Sequence, residues 1–549
     1  MKTSDYIVFV IYLITVGTYG YWIYTRKKKA SADSKDFFLA EGSLTWWAIG
    51  ASLIASNISA EQFIGMSASG FAMGLAIASY EWMAAVTLIV VAVFFLPIYL
   101  KNKIYTLPQF LAQRYSPLVA TIMAIFWLLV YIFVNLTSIL YLGALAVDTI
   151  TGLGFTTCVI GLSVFAVIIT LGGMKVIGFT DVIQVFVLVL GGLATTYLAL
   201  DLVAAKLSGG DIWNALSFVK NSASDHFHMI LNKGQVMMSD GKGGTEDAYQ
   251  KLPGLAVLIG AMWIANLYYW GCNQYITQRA LGADLQTGRA GILFASFLKL
   301  LMPIIVVLPG IVAFVLYKNG FFQTEMMTTI HIGDEAKEVL RSDRAYPVLL
   351  NLLPTGLKGL SFAALTAAIV ASLAGKANSI STIFTLDLYQ KFFKTNASEK
   401  HLVNVGKVAI IASMLIAIVM APQLSRFDQA FQFIQDFTGL ISPGVVAIFL
   451  LGMFWKRANG AAALVAALAT LPLGLAFNNW MPDIPFLHRM GYVFLILVGL
   501  MVIVSLISPR KENQTGVVVE AKMFSVDKKF ALGALLVMGL ITALYIVFW

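Results

Sequence analysis

The segment ASLIASNISAEQFIGM, residues 51–66, sets Asn57, Glu61 and Gln62 inside a run that is apolar on both sides. Similar runs carry Glu81 in ASYEWMAAV, Asn266 in WIANLYYWGCNQY, Lys299 in FASFLKLLMP, and Gln432 with Gln435 in AFQFIQDFTG. Amides donate and accept hydrogen bonds, a carboxylate accepts and an ammonium donates, while Tyr268, Tyr269 and Trp270 offer flat faces beside them. A polyhydroxylated ring asks for that mixture, because each hydroxyl gives and takes a hydrogen bond while the C–H face packs on an aromatic. For any one residue, an interhelical hydrogen bond or a buried ion pair explains the polar group as well as a ligand does. Five separate segments supplying such groups favour one shared site, with a sugar as its solute.

The elements that must position these groups are membrane spans. The chain has 549 residues, 59% hydrophobic and only 12% charged, with a mean hydropathy of +0.82. Charged residues approach about a quarter of a soluble domain. Apolar runs of about 20 residues, the length of a helix crossing the hydrocarbon core, recur fourteen times: near 5–25, 45–69, 72–100, 117–147, 155–172, 176–205, 253–271, 286–317, 355–389, 402–421, 428–455, 459–477, 490–508 and 528–548. An outer-membrane barrel is excluded, since its strands alternate polar and apolar residues. The expectation is an all-α polytopic protein of the inner membrane, embedded in the lipid bilayer, with about 14 transmembrane helices. Arg26, Lys27, Lys28 and Lys29 follow the first run with no small-residue cleavage site, so it reads as a retained helix. Cys158 and Cys272 lie in or beside apolar runs and read as packing residues.

The net charge of +9 does not point to nucleic acid, because the basic residues alternate between loops. If the first basic loop is cytoplasmic, the next cytoplasmic connections hold Lys101, Lys103 and Arg114; Lys175; Arg279 and Arg289; Lys391, Lys394 and Lys400; Lys456 and Arg457; and Arg510, Lys511, Lys522, Lys528 and Lys529. That pattern places both termini outside the cytoplasm. His226, His228 and His331 fall in the two long mixed-charge segments and read as solvated loop residues without metal-ligand spacing.

A bare polar group in hydrocarbon costs several kcal/mol, so the polar groups in the runs face partners, water or a solute. No nucleophile with its base is visible, which argues against an enzyme. No repeated filter motif suggests a channel. Secondary transporters bind near the midplane between interrupted helices. The polar-interrupted second and seventh runs, five spans apart, are the expected pair.

These residues also resemble the sodium/solute symporters. The similarity rests on DFFLA, SLTWWAIGASLIASNISAEQFIGM, GLAIASYEWM, YTLPQFLAQRY, IFVNLTSILYLG, FTDVIQVFVLVLGG, NLYYWGCNQYITQR, DQAFQFIQDFTGLISPG and FLLGMFWK, in that order from about residue 37 to the C-terminus. The resemblance implies a LeuT-like inverted repeat of five plus five helices, one helix before it and three after. The single transporter domain, 1–549, then divides into an extra helix at 4–25, repeats at 45–205 and 253–455, and C-terminal helices at 456–549. It implies sodium-coupled uptake of a hexose, galactose or glucose, by alternating access. Its sugar contacts fall on Asn57, Gln62, Glu81, Asn266, Lys299 and Gln435. Its inner gate falls on Tyr269 with Trp270 beside it, and its outer lid on Met66, Tyr80 and Phe431. A minor sugar contact, a serine in the family, is Ala84 here.

For sodium, the resemblance implies the carbonyls of Ala55, Ile58 and Ala368 with two consecutive serine hydroxyls, and Asp181 near the exit path. The two serine positions are Ala371 and Ser372, and Lys376 lies one turn beyond. One expectation pairs Lys376 with Asp181 and keeps sodium coupling at weaker affinity. The other makes Lys376 a tethered cation or protonatable group, with proton-linked or sodium-independent transport. Another solute, such as myo-inositol or a sugar acid, and a sugar sensor remain as alternatives. Neither the particular hexose, the sodium stoichiometry nor the oligomeric state is legible.

Overall fold

The computed structural model of the chain describes residues 2–26, 45–104, 106–171, 174–240, 244–332, 335–426, 430–509 and 516–549. Lys27, Lys28, Lys29, Arg510, Lys511 and the DFFLA block lie outside the described residues, as do the side chains of Lys175 and His331. Helices make up nearly all the regular structure. The described strands form two short antiparallel hairpins, Met237–Ser239 with Thr245–Asp247 and Met327–Ile332 with Glu335–Leu340. A helix satisfies its own backbone donors and acceptors, as hydrocarbon requires.

Among the described residues nine helices are long and apolar enough to cross a membrane. A tenth is added if Ala248–Ile259 and Met262–Gly271, bent by 77°, count as one span. Thr3–Tyr19, Phe155–Thr170 and Ser442–Phe454 are shorter apolar helices. The protein is thus a multi-pass membrane protein. Ile160, Val164 and Ile168 on one helix and Leu532, Leu535 and Leu536 on another are exposed, as lipid-facing side chains are.

Helix ends are fixed by side chains. Ser116, Asp284, Ser398, Asn459 and Asp527 each accept a hydrogen bond from a first-turn N–H, the usual way to satisfy a helix start. Arg114 donates to the carbonyls of Gly452, Trp455 and Ala458 at and beyond the end of Ser442–Phe454, where a cation suits the helix dipole.

Three backbone interruptions shape the centre. Trp46–Asn57 stops at Ile58, which is extended (φ −73°, ψ 92°), and a π-helical turn resumes at Glu61. The Ser59 hydroxyl accepts from the Glu61 N–H at 3.1 Å, so a two-residue spacing in the sequence caps the second half. Gln62 and Glu81 would stand about 28 Å apart on a straight helix, yet their side chains are hydrogen bonded at 3.0 Å. The chain therefore reverses between them, at Gly74 with φ +73°. The third interruption is the 77° bend at Gly260, where the Trp263 indole N–H donates to the Leu258 carbonyl at 2.8 Å.

Leu285–Lys318, with Pro303 and Pro309 inside it, crosses Ser67–Met73 at very close range. A Cβ on Gly310 would lie 2.0 Å from the Ser67 carbonyl oxygen, and one on Gly70 would lie 2.6 Å from that of Val307. Small residues let two membrane helices approach backbone to backbone in this way.

The reading of His226 as a solvated loop residue is corrected. Its ring is 6% exposed, stacks on Phe314 at 4.1 Å between centroids, and lies 3.1 Å from the Phe71 carbonyl oxygen. An aromatic shelf at the end of Leu285–Lys318 draws the ring out of water, a tertiary effect that local polarity does not reveal. Burial pushes its pKa down to about 4. Among the described residues no group of three or more His, Cys, Asp or Glu is placed to hold a metal ion.

Candidate functional site

The interrupted helices surround a polar cavity. Asn57, Gln62, Glu81, Asn266, Lys299 and Gln435 all line it, although they come from six positions spread over most of the chain. Asn57 and Gln62 flank the first break. Glu81 returns on the helix after the Gly74 reversal, Asn266 lies beyond the 77° bend, and Lys299 comes from Leu285–Lys318. Gln435 lies on Ala430–Gly439.

These groups form one connected network. Lys299 donates to Glu81 at 2.5 Å and to the Asn57 side-chain oxygen, while Gln62 donates to the other Glu81 oxygen at 3.0 Å. Asn57 in turn donates to the Tyr269 hydroxyl at 3.1 Å. The Lys299 ammonium also stands 5.1 Å from the centre of the Trp270 ring, a cation–π distance. Lys299, Asn57, Gln62 and Glu81 thus match donors to acceptors, the mixture that a polyhydroxylated solute asks for. Asn266 spends its amide nitrogen on the Met262 carbonyl at 3.1 Å.

Tyr269 and Trp270 meet edge to face at 5.1 Å and both face the cavity. Tyr80 and Phe431 also meet edge to face, at 5.4 Å, and both line it. A Cβ on Gly65 would come within 2.8 Å of Phe431 Cβ, so the bare glycine admits the ring. Met66 is fully buried and is not among the lining residues, unlike the other two lid positions. Ala84 faces the cavity as expected. Gln432 does not; it donates to Asp436 at 3.1 Å, and Asp436 pairs with Lys251 at 3.3 Å.

At the first break, Ala55, Ile58, Ala368 and Ser372 are all buried, and their two helices, Trp46–Asn57 and Leu357–Thr382, pack against each other. The Ser372 hydroxyl has no hydrogen-bond partner among the described residues. An orphaned buried hydroxyl on a helix packed against an interrupted one has the donor chemistry that a hard monovalent cation takes, namely oxygen without thiolate or imidazole.

The expected Lys376–Asp181 pair does not form. Lys376 stands 3.5 Å from Glu61, whose other oxygen accepts from Ser138 at 2.9 Å. Asp181 lies 3.8 Å from Arg279, and Ser52 bridges them, accepting from Arg279 at 3.0 Å and donating to Asp181 at 2.8 Å. Arg279, read from sequence as a loop charge, is buried on the short helix Gln274–Leu281. A lysine stem leans toward the start of its own helix, which carries the Lys376 ammonium to the break instead of onward to Asp181. Glu61, Asn135, Asn273 and Lys376 line the cavity without having been assigned to the sugar site. Glu61 and Lys376 carried a signal as charged residues in apolar runs, whereas Asn273 is fixed by Tyr131, which donates to it at 2.5 Å.

Interrupted helices around a polar hollow with aromatic walls define a secondary membrane transporter. Residues 37–470 match the Sodium:solute symporter family. The chain is 46% identical over 554 residues to a sodium/glucose cotransporter of Vibrio parahaemolyticus, covering 99% of this chain and 98% of that protein. It is 33% identical over 489 residues to the human sodium/myo-inositol cotransporter 2, covering 86% and 70% respectively. The fold is shared, at a TM-score of 0.75 and 22% identity, with a solved Na+-coupled sialic acid symporter in its substrate-bound outward-open state, over 93% of this chain and 99% of that one. The chain belongs to the sodium:solute symporter family.

Proposed function

We propose that this symporter couples the inward movement of sodium to uptake of a hexose, glucose or galactose, across the inner membrane. The single observation that carries the reading is the convergence of Asn57, Gln62, Glu81, Asn266, Lys299 and Gln435 on one cavity walled by Tyr269 and Trp270. The Vibrio relative's name supplies glucose as the first solute to test.

The geometry supports a direct route for coupling. Sodium held by the Ala55 and Ile58 carbonyls, the Ala368 carbonyl and the Ser372 hydroxyl would tie Trp46–Asn57 to Leu357–Thr382. Asn57 is the last residue of the first of these helices and reaches both Lys299 and Tyr269. The ion thereby fixes the residue that shapes the sugar network and braces the gate. In an alternating-access cycle, the Tyr80 and Phe431 lid closes from outside before Tyr269 yields inward. Downhill sodium supplies about 2.3 kcal/mol per charge for each 100 mV, plus the concentration term.

The finer architecture belongs to the same reading: a LeuT-like five-plus-five inverted repeat at 45–205 and 253–455, one helix before it, three after, about 14 spans in all, and both termini outside the cytoplasm. The breaks near Ile58 and Gly260 fall in corresponding spans of such repeats, which supports it.

Uptake of labelled glucose and galactose into proteoliposomes tests the function. An inward sodium gradient should drive accumulation that collapses with a sodium ionophore. Equal uptake with potassium replacing sodium would refute coupling, and no competition by either hexose would move the solute to a polyol such as myo-inositol.

A further inference from the structure

The proposed sugar network accounts for one of the two ion pairs that line the cavity, and the other falls at the break in the first span. Glu61 opens the π-helical turn after that break, and the Lys376 ammonium lies 3.5 Å from its carboxylate. Both side chains are largely buried, at 10% and 1% exposure, yet both line the cavity. The pair is therefore reachable by an ion that reaches the cavity, unlike one sealed between helices.

Three features mark this spot as a cation position. The last turn of Trp46–Asn57 presents carbonyls whose helical donors are missing, and the end of a helix carries partial negative charge. The Ser372 hydroxyl is buried without a partner among the described residues. Glu61 adds a full negative charge. Lys376 is one turn beyond Ser372 on the same helix, and its stem runs back toward that turn.

The charge balance follows. Among the described residues, the charged ones lining the cavity are Glu61, Glu81, Lys299 and Lys376, two of each sign. A sodium ion arriving at the break adds a positive charge to a site whose carboxylate already holds an ammonium, in surroundings that screen poorly. We propose that Lys376 is a tethered competitor of the transported cation: sodium takes hold at the break only as the ammonium gives up Glu61. Lys376 thus sets the sodium concentration at which transport half-saturates. This inference rests on the sodium-symport reading and adds to it a residue that tunes the ion's affinity.

The test uses the full-length purified protein, with Lys376→Gln and Lys376→Met beside the wild type. Equilibrium binding of radioactive sodium in detergent, and hexose uptake in proteoliposomes against sodium concentration, are both measured. Both variants should lower the half-saturating sodium concentration by about tenfold or more, while sugar half-saturation at saturating sodium moves less than about threefold. Unchanged or weaker sodium binding in a monodisperse variant overturns the proposal. A selective loss of sugar affinity also overturns it and makes Lys376 a sugar contact. If neither variant folds, the wild type decides: half-saturation by sodium below about 1 mM overturns the proposal, and weaker binding supports it. Failure of the wild type to carry hexose would sink the proposed function, while the sodium-binding measurement would still read the effect of Lys376.

Discussion

Two buried charged clusters lie near Trp46–Asn57, one at the cavity beyond its end and one around its Ser52. In the cavity, Lys299–Glu81 and Lys376–Glu61 line an open hollow with amides and aromatic rings between them. In the other cluster, Asp181, Arg279 and Ser52 close on one another, and none of the three lines the cavity. Both contain acid and base at the same depth of burial, so charge in a span does not by itself mark a binding site. What separates them is the space left between the charges.

Truncating one partner should expose that difference most strongly. Arg279→Ala leaves the Asp181 carboxylate sealed without its cation, and breaking a buried pair this way costs roughly 3–5 kcal/mol. Thermal unfolding in detergent should show the loss at every sugar concentration. Lys299→Ala should abolish hexose uptake, yet cost less stability, because water and ions reach Glu81 through the cavity. Equal destabilisation by the two variants would erase the distinction.

A group sealed outside both clusters sharpens the contrast. His226 has a pKa pushed down to about 4 by burial, so the folded protein binds its proton less readily than the unfolded chain does. Its contribution is complete above the ordinary histidine value of about 6.5 and is lost progressively as pH falls toward 4, a change of up to about 3 kcal/mol. Protease cleavage of the 212–252 segment should therefore rise between pH 6.5 and 4 and become flatter in His226→Phe. A pH-independent cleavage rate in the wild type would contradict the burial argument.

The smallest expected effect belongs to Gln435, which is half-buried and stands at the cavity wall. Gln435→Ala removes a proposed hydrogen bond to solute without orphaning a charge, so uptake should fall by about five- to tenfold at little cost in stability, as a bond worth about 1–1.5 kcal/mol implies. Unaltered hexose affinity would remove Gln435 from the site.

The polar lining of the cavity was legible because hydrocarbon penalises unpaired polar groups. Asn57, Gln62, Glu81, Asn266, Lys299 and Gln435 each announced themselves as interruptions in apolar runs. Which partner each charge selects was not legible. Lys376 turns to Glu61 because of the rotation and lean of its helix, and Asp181 has Arg279 because a helix of eight residues, Gln274–Leu281, brings an apparent loop charge inside. Gln432 looked equivalent to Gln435, yet three residues of helical rotation turn it to Asp436. The break between the second and third apolar runs, read at 70–71, lies a few residues before the Gly74 reversal, whereas the stacking of His226 on Phe314 arises only from tertiary proximity.

The close crossing at Gly70, against Val307, and at Gly310, against Ser67, bears on how such a carrier moves. With main chain resting on main chain there, and Ser296 anchored to the Ala85 carbonyl at 2.7 Å, the segments bearing Gln62, Glu81 and Lys299 have little room to slide past one another. They are held as one packed unit, so three of the six proposed solute contacts should move together through a transport cycle. Gln435, on the separate helix Ala430–Gly439, is the proposed contact free to move relative to that unit.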